Sequence, residues 1–162
     1  MEIHRNKIFL QNKLSMEFDD NHFMKVAINE ALFALDNDEI PVGAIVVVGN
    51  KIIGRGHNQT QALNDVTAHA EIIAISSASE NLGAKYLEHC TLYTTVEPCI
   101  MCAGAIFWSK MERVVIGAPD KKFGYSRYGN LFHPRTKVTN GVLADECSQL
   151  IANFFKKKRE YD

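Results

Sequence analysis

The sequence predicts an α/β layer fold, in which strands alternate with helices within a single domain. β-Branched runs bounded by turn residues recur along the chain, and segments of helical periodicity separate them. The length of 162 residues suits one domain, and 46% hydrophobic with 23% charged residues suffice for one core. We assign this domain to residues 16–162 and expect residues 1–15, which are polar and aperiodic, to be a loose extension.

The first half of the domain predicts a helix, a hairpin and a second helix. Apolar residues recur at helical spacing over residues 21–35, and Asp20 can cap the start of this helix. A β-branched run over residues 42–48, a Gly-Asn turn and a second run over residues 51–56 predict the hairpin. Residues 69–82 predict the second helix, which ends before a glycine.

The next segment predicts a strand, a helix and another strand. Residues 91–96 have the composition of a strand. Pro98 then opens a helix over residues 99–110, because a proline near the first helical turn loses no hydrogen bond there. A short apolar strand follows at residues 113–116.

The C-terminal part contains the least regular segment of the chain. Residues 120–134 are rich in glycine, aromatic and basic residues without a period, which predicts a long functional loop or a short irregular helix. A weaker strand is predicted at residues 137–139. The last helix covers residues 144–158 and carries its apolar side chains on one side.

Charge and hydropathy limit the classes of partner. Eighteen basic and 19 acidic residues give a net charge of −1, so no overall field draws the chain to nucleic acid or to a membrane. The longest apolar stretch, residues 42–48, is far shorter than the ~20 residues of a membrane-spanning helix. Residues 8–10 are too short an apolar run for a secretory signal. We therefore expect a cytoplasmic protein that does not enter a membrane, and any RNA binding must come from a local patch.

Two short motifs place metal-binding side chains at helix starts. His69-Ala70-Glu71 stands where the second helix begins, and Cys99 and Cys102 stand where the third begins, three residues apart on one face. One imidazole and two thiolates suit tetrahedral zinc, and three protein ligands leave the fourth position for water, as in catalytic sites. We predict one zinc ion per chain, held by His69, Cys99 and Cys102.

Glu71 is the candidate proton shuttle. Zinc lowers the pKa of water to near ~7, and Glu71, two residues from a ligand, is placed to take that proton and hand it on. H-x-E followed by P-C-x-x-C, with a non-ligating Glu, is the signature of the zinc nucleobase deaminases. A redox dithiol would leave His69 and Glu71 without a role, and a structural zinc site would normally show a fourth Cys or His.

Longer motifs make the pattern more specific. They are Ile40-Pro41-Val42-Gly43-Ala44, Gly56-His57-Asn58, Thr67-Ala68-His69-Ala70-Glu71, Leu92-Tyr93-Thr94, Glu97-Pro98-Cys99-Ile100-Met101-Cys102-Ala103-Gly104-Ala105, Gly117-Ala118-Pro119-Asp120 and Gly141-Val142-Leu143-Ala144-Asp145-Glu146-Cys147. Over nearly everything after Met16, the chain resembles the bacterial tRNA-specific adenosine deaminases of the cytidine and deoxycytidylate deaminase superfamily.

This resemblance implies a three-layer α/β/α, cytidine deaminase-like fold with a five-stranded mixed sheet between helices. It also implies a homodimer, the same zinc ligands and proton shuttle, and hydrolytic deamination of the wobble adenosine in a tRNA anticodon loop to inosine. The substrate pocket would be lined by Asn58, Glu39 and Val42, and Asp120 would meet the nucleotide backbone near the flipped base.

The residue types around Asp120 agree with an RNA substrate. Bases of single-stranded loops are bound by stacking on aromatic or Arg planes. Such groups stand beside two lysines here; they are Phe123, Tyr125, Arg127 and Tyr128, next to Lys121 and Lys122. Basic residues 156–159 either add phosphate contacts or complement the dipole of the last helix.

Two alternatives remain open. A deaminase of a free base or nucleoside, such as guanine or cytosine, would use the same zinc centre with a closed pocket. A zinc-binding scaffold without catalysis fits poorly, because it gives Glu71 no role. Formation of inosine in a transcript separates the first alternative from tRNA editing.

Overall fold

The computed structural model describes residues 18–161, so the expectation for residues 1–15 lies outside the described part of the chain. Within that part, four α-helices flank a five-stranded mixed sheet, which confirms the predicted fold class. In chain order the elements are α1 (Asp20–Asp36), β1 (Gly43–Val48), β2 (Lys51–His57), α2 (Ala70–Leu82), β3 (Cys90–Val96), α3 (Ile100–Ser109), β4 (Arg113–Ala118), a 3-10 helix (Tyr125–Tyr128), β5 (Lys137–Asn140) and α4 (Ala144–Tyr161).

The sheet has the strand order β2-β1-β3-β4-β5. β1 runs antiparallel to both of its neighbours, whereas β3, β4 and β5 are parallel. Gly49, with a positive φ of 58°, lies in the tight turn that joins β1 to β2. Parallel β3 and β4 need a longer crossover, which α3 supplies. The carboxyl ends of β3 and β4 therefore lie side by side.

Helices cover both faces of the sheet, and the strand residues alternate between two cores. Val46 and Leu92 belong to the core under α2 and α3. Their chain neighbours Ile45 and Tyr93 belong to the core under α1 and α4. This alternation is the period of two that a strand imposes, and it produces the three layers that the resemblance implied.

Glycines in β2 allow α2 to lie unusually close to the sheet. A Cβ atom at Gly56 would stand 2.2 Å from the carbonyl oxygen of Ala70, and one at Gly54 would stand 2.3 Å from that of Ala74. On the helix side, Ala70, Ala74 and Ala78 are fully buried. Small residues on both elements thus set the position of α2, including its first turn.

The structure differs from the sequence-based expectation at the start of α1 and at Tyr125. The N-cap of α1 is Asp19, whose side chain accepts a hydrogen bond from the His22 N–H at 2.8 Å, and Asp20 is the first helical residue. Tyr125, which we expected to be available for stacking, is buried and packs on Phe132 with 4.3 Å between ring centroids. The 3-10 helix turns this ring into the core, so the irregular segment is partly helical.

An ion pair fastens the start of α1 to the sheet. The two terminal nitrogens of Arg113 donate to Asp20 Oδ1 at 2.8 Å and to Oδ2 at 2.7 Å. The Tyr93 hydroxyl also donates to Oδ1, at 2.9 Å. The hydrogen bond from Arg113 holds the pKa of the Asp20 carboxyl below its ordinary value.

Asp20→Asn is expected to lower the free energy of unfolding by about 1 kcal/mol at neutral pH, the scale of a well-formed, partly exposed ion pair. Because the pKa of Asp20 is depressed in the folded state, its stabilisation is complete above the unfolded pKa and is lost as the pH falls through the folded pKa. Urea unfolding from pH ~7 down to pH ~3 should show the two proteins converging. The control is Asp36→Asn, at the exposed C-terminal end of the same helix. Equal losses in both variants would contradict a specific pair.

Candidate metal centre and active site

The three predicted metal ligands meet between two helix starts. His69 is the N-cap residue of α2, Cys99 is the N-cap residue of α3, and Cys102 lies in the first turn of α3. The Nδ1 atom of His69 lies 3.6 Å from the Sγ atom of Cys99 and 3.6 Å from that of Cys102. Among the described residues, these form the group of potential metal ligands whose donor atoms all lie within 4.8 Å of one another.

The donor atoms fit zinc in type and in spacing. A nitrogen at ~2.0 Å and a sulfur at ~2.3 Å from one ion, at a tetrahedral angle, lie about 3.5 Å apart. The observed separations of Nδ1 from both sulfurs are 3.6 Å. The neighbouring Cys102 side chain, together with the hydrogen bond to His69, lowers the pKa of Cys99 to about 4, while the pKa of Cys102 itself is raised. Cys99 is therefore in the thiolate form that metals bind.

Glu71 lies beside the ligands without joining them. It sits in the first turn of α2 and is 4% exposed. Its Oε2 atom accepts from the Cys102 thiol at 3.6 Å, and its Oε1 atom accepts from the Thr94 hydroxyl at 3.4 Å. Burial raises the pKa of the Glu71 carboxyl. The arrangement places a buried carboxyl group next to the ligand cluster, within reach of a group bound there, as a general acid or base requires.

Asn58 and Val42 lie next to the start of α2. The side-chain oxygen of Asn58, which is buried, accepts from the Ala70 N–H at 3.0 Å. The backbone N–H of Asn58 donates to the Val42 carbonyl oxygen at 3.2 Å. Asn58 thus satisfies one of the free N–H groups at the helix start and fixes the turn that carries Glu71.

Glu39 holds the loop that leads from β2 towards His69. Its Oε1 atom accepts from the N–H groups of Gln61 at 2.7 Å and Ala62 at 2.9 Å, and its Oε2 atom accepts from the Thr60 hydroxyl at 3.1 Å. The side chain is almost fully buried. Both carboxylate oxygens are therefore engaged with the loop.

Asp120 begins the segment of aromatic and basic residues. Its Oδ1 atom accepts from the N–H groups of Lys122 at 2.9 Å and Phe123 at 3.0 Å, which closes a local turn. Phe123 and Tyr128 are 62% and 59% exposed, so two of the three aromatic rings proposed for stacking face solvent.

Two residues near the ligands did not emerge as functional candidates from the sequence. Thr94, a fully buried polar residue of β3, contacts Glu71, and Glu97 accepts hydrogen bonds from the segment that begins at Asp120. The signals were a threonine at a buried strand position and an acidic residue directly before the Pro98-Cys99 pair. Neither signal is specific, because the residues that Thr94 and Glu97 contact are more than twenty positions away and cannot be recognised from the local sequence.

Comparisons with known proteins agree with this site. A family model, the cytidine and deoxycytidylate deaminase zinc-binding region, matches residues 17–118. The tRNA-specific adenosine deaminase of Aquifex aeolicus (strain VF5) is 46% identical over 144 residues, covering 85% of this chain and 95% of the relative. That of Bacillus subtilis (strain 168) is 42% identical over 149 residues, covering 87% and 91%.

Solved structures show the same architecture. A structure from a study of A-to-I editing by tRNA:A34 deaminases at the wobble position of transfer RNA has a TM-score of 0.75 and 40% identity. It matches 80% of this chain and 98% of its own. The guanine deaminase of Nitrosomonas europaea has a TM-score of 0.76 at 25% identity, covering 84% of each chain.

Fold, ligand cluster and family match together define a zinc-binding deaminase of the cytidine and deoxycytidylate deaminase class. The match to this chain covers 96% and 95% of the length of two of these relatives. Within the class, the chain belongs to the tRNA-specific adenosine deaminase family. No helix in residues 18–161 has the length and apolar character needed to cross a membrane.

Purified protein is expected to contain one zinc ion per chain, and Cys102→Ala should lose most of it because two donors hold the metal far less tightly than three. Elemental analysis together with the protein concentration measures the ratio. Cys90→Ala is the matched control, since Cys90 is also buried but lies at the start of β3, outside the ligand cluster. Full zinc retention in Cys102→Ala would overturn the assignment.

Proposed function

We propose that the protein hydrolyses the wobble adenosine of a tRNA anticodon loop to inosine, with residues 16–162 as the catalytic domain. The observation that carries the proposal is the buried Glu71 carboxyl beside the cluster of His69, Cys99 and Cys102. Relatives named tRNA-specific adenosine deaminase, at 42% and 46% identity, support the choice of substrate. The reaction is expected in the cytoplasm, where its tRNA substrate is found.

In this proposal His69, Cys99 and Cys102 hold a zinc ion, which supplies a water nucleophile at neutral pH. Glu71 accepts a proton from the attacking water at a carboxylate oxygen and delivers it to the purine ring. Glu71 then takes the remaining proton from the oxygen now bonded to C6 and transfers it to the C6 amino group, so that the C6–N bond breaks, ammonia leaves and the oxygen remains on C6 as a carbonyl. The raised pKa of Glu71 suits both acceptance and return of the proton.

Four residues are proposed to form the substrate pocket. Asn58 has its side-chain oxygen fixed by the Ala70 N–H, so its amide is oriented beside the turn that carries Glu71. Val42 supplies an apolar wall next to Asn58, and Glu39 shapes the pocket through the loop at residues 60–62. Asp120 is proposed to accept a hydrogen bond from a ribose 2′-hydroxyl, a group that distinguishes RNA from DNA.

RNA capture is assigned to a local surface, because the net charge is −1. Lys121, Lys122 and Arg127 are exposed next to the exposed rings of Phe123 and Tyr128. Cations that neutralise phosphates, together with rings that stack on unpaired bases, are the groups that bind single-stranded loops. Basic residues 156–159, in the last turns of α4, are proposed to add phosphate contacts.

Deamination of free guanine is the second candidate, because guanine deaminases share the fold. That of Bacillus subtilis has 37% identity and a TM-score of 0.62, but the match covers only 70% of this chain and 71% of its own. The tRNA-specific relatives match 95% and 96% of their own length. The match to the guanine deaminase of Nitrosomonas europaea covers 84% of each chain, but at only 25% identity. Identity and coverage taken together therefore favour tRNA editing.

An anticodon stem-loop with a wobble adenosine should be deaminated much faster than free adenosine, cytidine or guanine at equal concentration. Contacts to flanking nucleotides provide binding energy that a free base cannot, so the small substrates lose kcat as well as affinity. Inosine formation and ammonia release measure the rates, and a stem-loop with wobble guanosine is the control. Binding should weaken with salt, with a slope of about −0.7 per neutralised phosphate. Faster turnover of any free base would favour the second candidate.

Glu71→Gln is expected to keep the fold and the zinc but to lose ~10² to 10⁴ in kcat, the range for removing a general acid or base. The amide is nearly isosteric but cannot accept the proton from water. Single-turnover assays on the stem-loop, with zinc analysis of the same sample, measure the two properties. Glu80→Gln makes the same chemical change at an exposed position in the last turn of α2 and should retain full activity. Activity of Glu71→Gln within threefold of the parent would exclude this role.

We also propose that the protein is a homodimer that pairs through α3. Ile100, Gly104 and Trp108 share one face of this helix by their spacing of four, and Ile100 and Trp108 are 53% and 75% exposed. Exposed large apolar side chains clustered on one helix are typical of an interface. Light scattering should give about twice the 18.2 kDa of one chain, and Trp108→Glu should shift it towards the monomer. A monomer at micromolar concentration would refute the proposal.

A further inference from the structure

Glu97 connects the metal-ligand turn to the segment of residues 120–128, which we call the 120–128 loop. It follows β3 and directly precedes Pro98 and Cys99. Its Oε2 atom accepts from the Asp120 N–H at 2.9 Å, and its Oε1 atom accepts from the Ser126 N–H at 3.0 Å. One carboxylate thus accepts hydrogen bonds from the loop backbone near both ends of the loop.

The backbone adds two further connections between the same segments. Cys99 and Gly124 form an antiparallel bridge, and the Tyr125 N–H donates to the Pro98 carbonyl oxygen at 2.9 Å. Gly124 packs directly on Glu97, since a Cβ atom there would stand 2.4 Å from the Glu97 carboxyl. The loop therefore lies against the turn that contains a metal ligand, and the Glu97 side chain links that turn to two positions of the loop backbone.

We infer that Glu97 is a positioning residue. It holds the 120–128 loop in a fixed position relative to the metal centre, so that RNA bound by the loop presents its target base to that centre. The inference rests on the proposed function. The loop carries exposed Lys121, Lys122 and Phe123, whereas the hydrogen bonds that Glu97 accepts come from the backbone N–H groups of Asp120 and Ser126. Glu97 acts on substrate through the loop backbone and takes no part in proton transfer.

The chemistry of the carboxylate makes the role testable. Hydrogen bonds from N–H groups to a charged acceptor are stronger than neutral ones, and Glu97 uses both oxygens as acceptors. Glu97→Gln retains one acceptor and turns an NH₂ group towards the other N–H, so one end of the loop is released. Glu97→Asp retains both acceptors on a shorter stem and should recover part of the function.

Steady-state kinetics on the wobble-adenosine stem-loop test the inference. Glu97→Gln should raise KM about tenfold or more, leave kcat within about threefold, and make the salt dependence of binding shallower because fewer cations stay aligned with phosphates. Zinc content should not change. Glu112→Gln, at an exposed position at the opposite end of β4, is the matched control. A fall in kcat at constant KM, or no change in either, would overturn the role.

Trypsin digestion provides a readout that does not depend on the reaction. The 120–128 loop contains three tryptic sites, after Lys121, Lys122 and Arg127. Glu97→Gln should be cleaved there faster than the parent and the Glu112→Gln control, with Glu97→Asp between them. Failure of the parent protein to deaminate the stem-loop would overturn the proposed function. Equal cleavage rates in Glu97→Gln and the parent would overturn the positioning role, whatever the result of the activity assay.

Discussion

The close contact between α2 and β2 is the constraint on which the active centre depends. Gly54 and Gly56 present no side chains, and the alanines of α2 meet them, so the backbone of the helix rests almost on the backbone of the strand. Packing at this distance leaves little freedom for the helix to slide or tilt, because any added atom meets a carbonyl group. The first turn of α2 carries His69 and Glu71, and their position relative to the sheet is therefore fixed by residues that perform no chemistry. The fold thus determines where the imidazole and the carboxyl can be.

The second part of the centre comes from the parallel half of the sheet. β3 ends beside β4, and the chain turns at Pro98 into α3, which places Cys99 and Cys102 at the N-terminal end of a helix. Free N–H groups and the positive end of the helix dipole favour the thiolate form of Cys99, the N-cap residue. Because α2 also begins at this edge of the sheet, two helix starts face each other across the site. A cluster of one imidazole and two sulfurs follows from this topology without any long-range loop.

Much of this could be predicted from the sequence, because the signals are local. Spacing selected His69, Cys99, Cys102 and Glu71 as candidates, and the structure brings these four side chains together. Strand composition and helix breakers located most elements to within a few residues. The incorrect and missed predictions concern residues whose role depends on partners far away in the sequence. Asp19 and Asp20 are equivalent as caps, and only Arg113, 93 residues away, assigns Asp20 to an ion pair. The burial of the Tyr125 ring depends on a short 3-10 helix, and the sequence of this segment has no periodic pattern that would predict it. Glu97 binds backbone N–H groups 23 and 29 residues away, and backbone partners leave no side-chain pattern to detect.

Substrate choice must be decided outside the metal cluster, because a structurally similar guanine deaminase has the same fold and belongs to the same class of enzymes. A zinc centre and a buried carboxyl can deaminate several heterocycles, so discrimination requires contacts to whatever surrounds the base. The exposed rings and cations of the 120–128 loop are the groups proposed for such contacts, and they can add binding energy only if the loop is held in a fixed position relative to the base. A loop that is bonded to the ligand turn through its backbone and through Glu97 meets this requirement, whereas a free loop would not. The metal-ligand turn and the proposed RNA-contacting groups therefore belong to one connected unit that runs from β3 through Glu97 to the 120–128 loop.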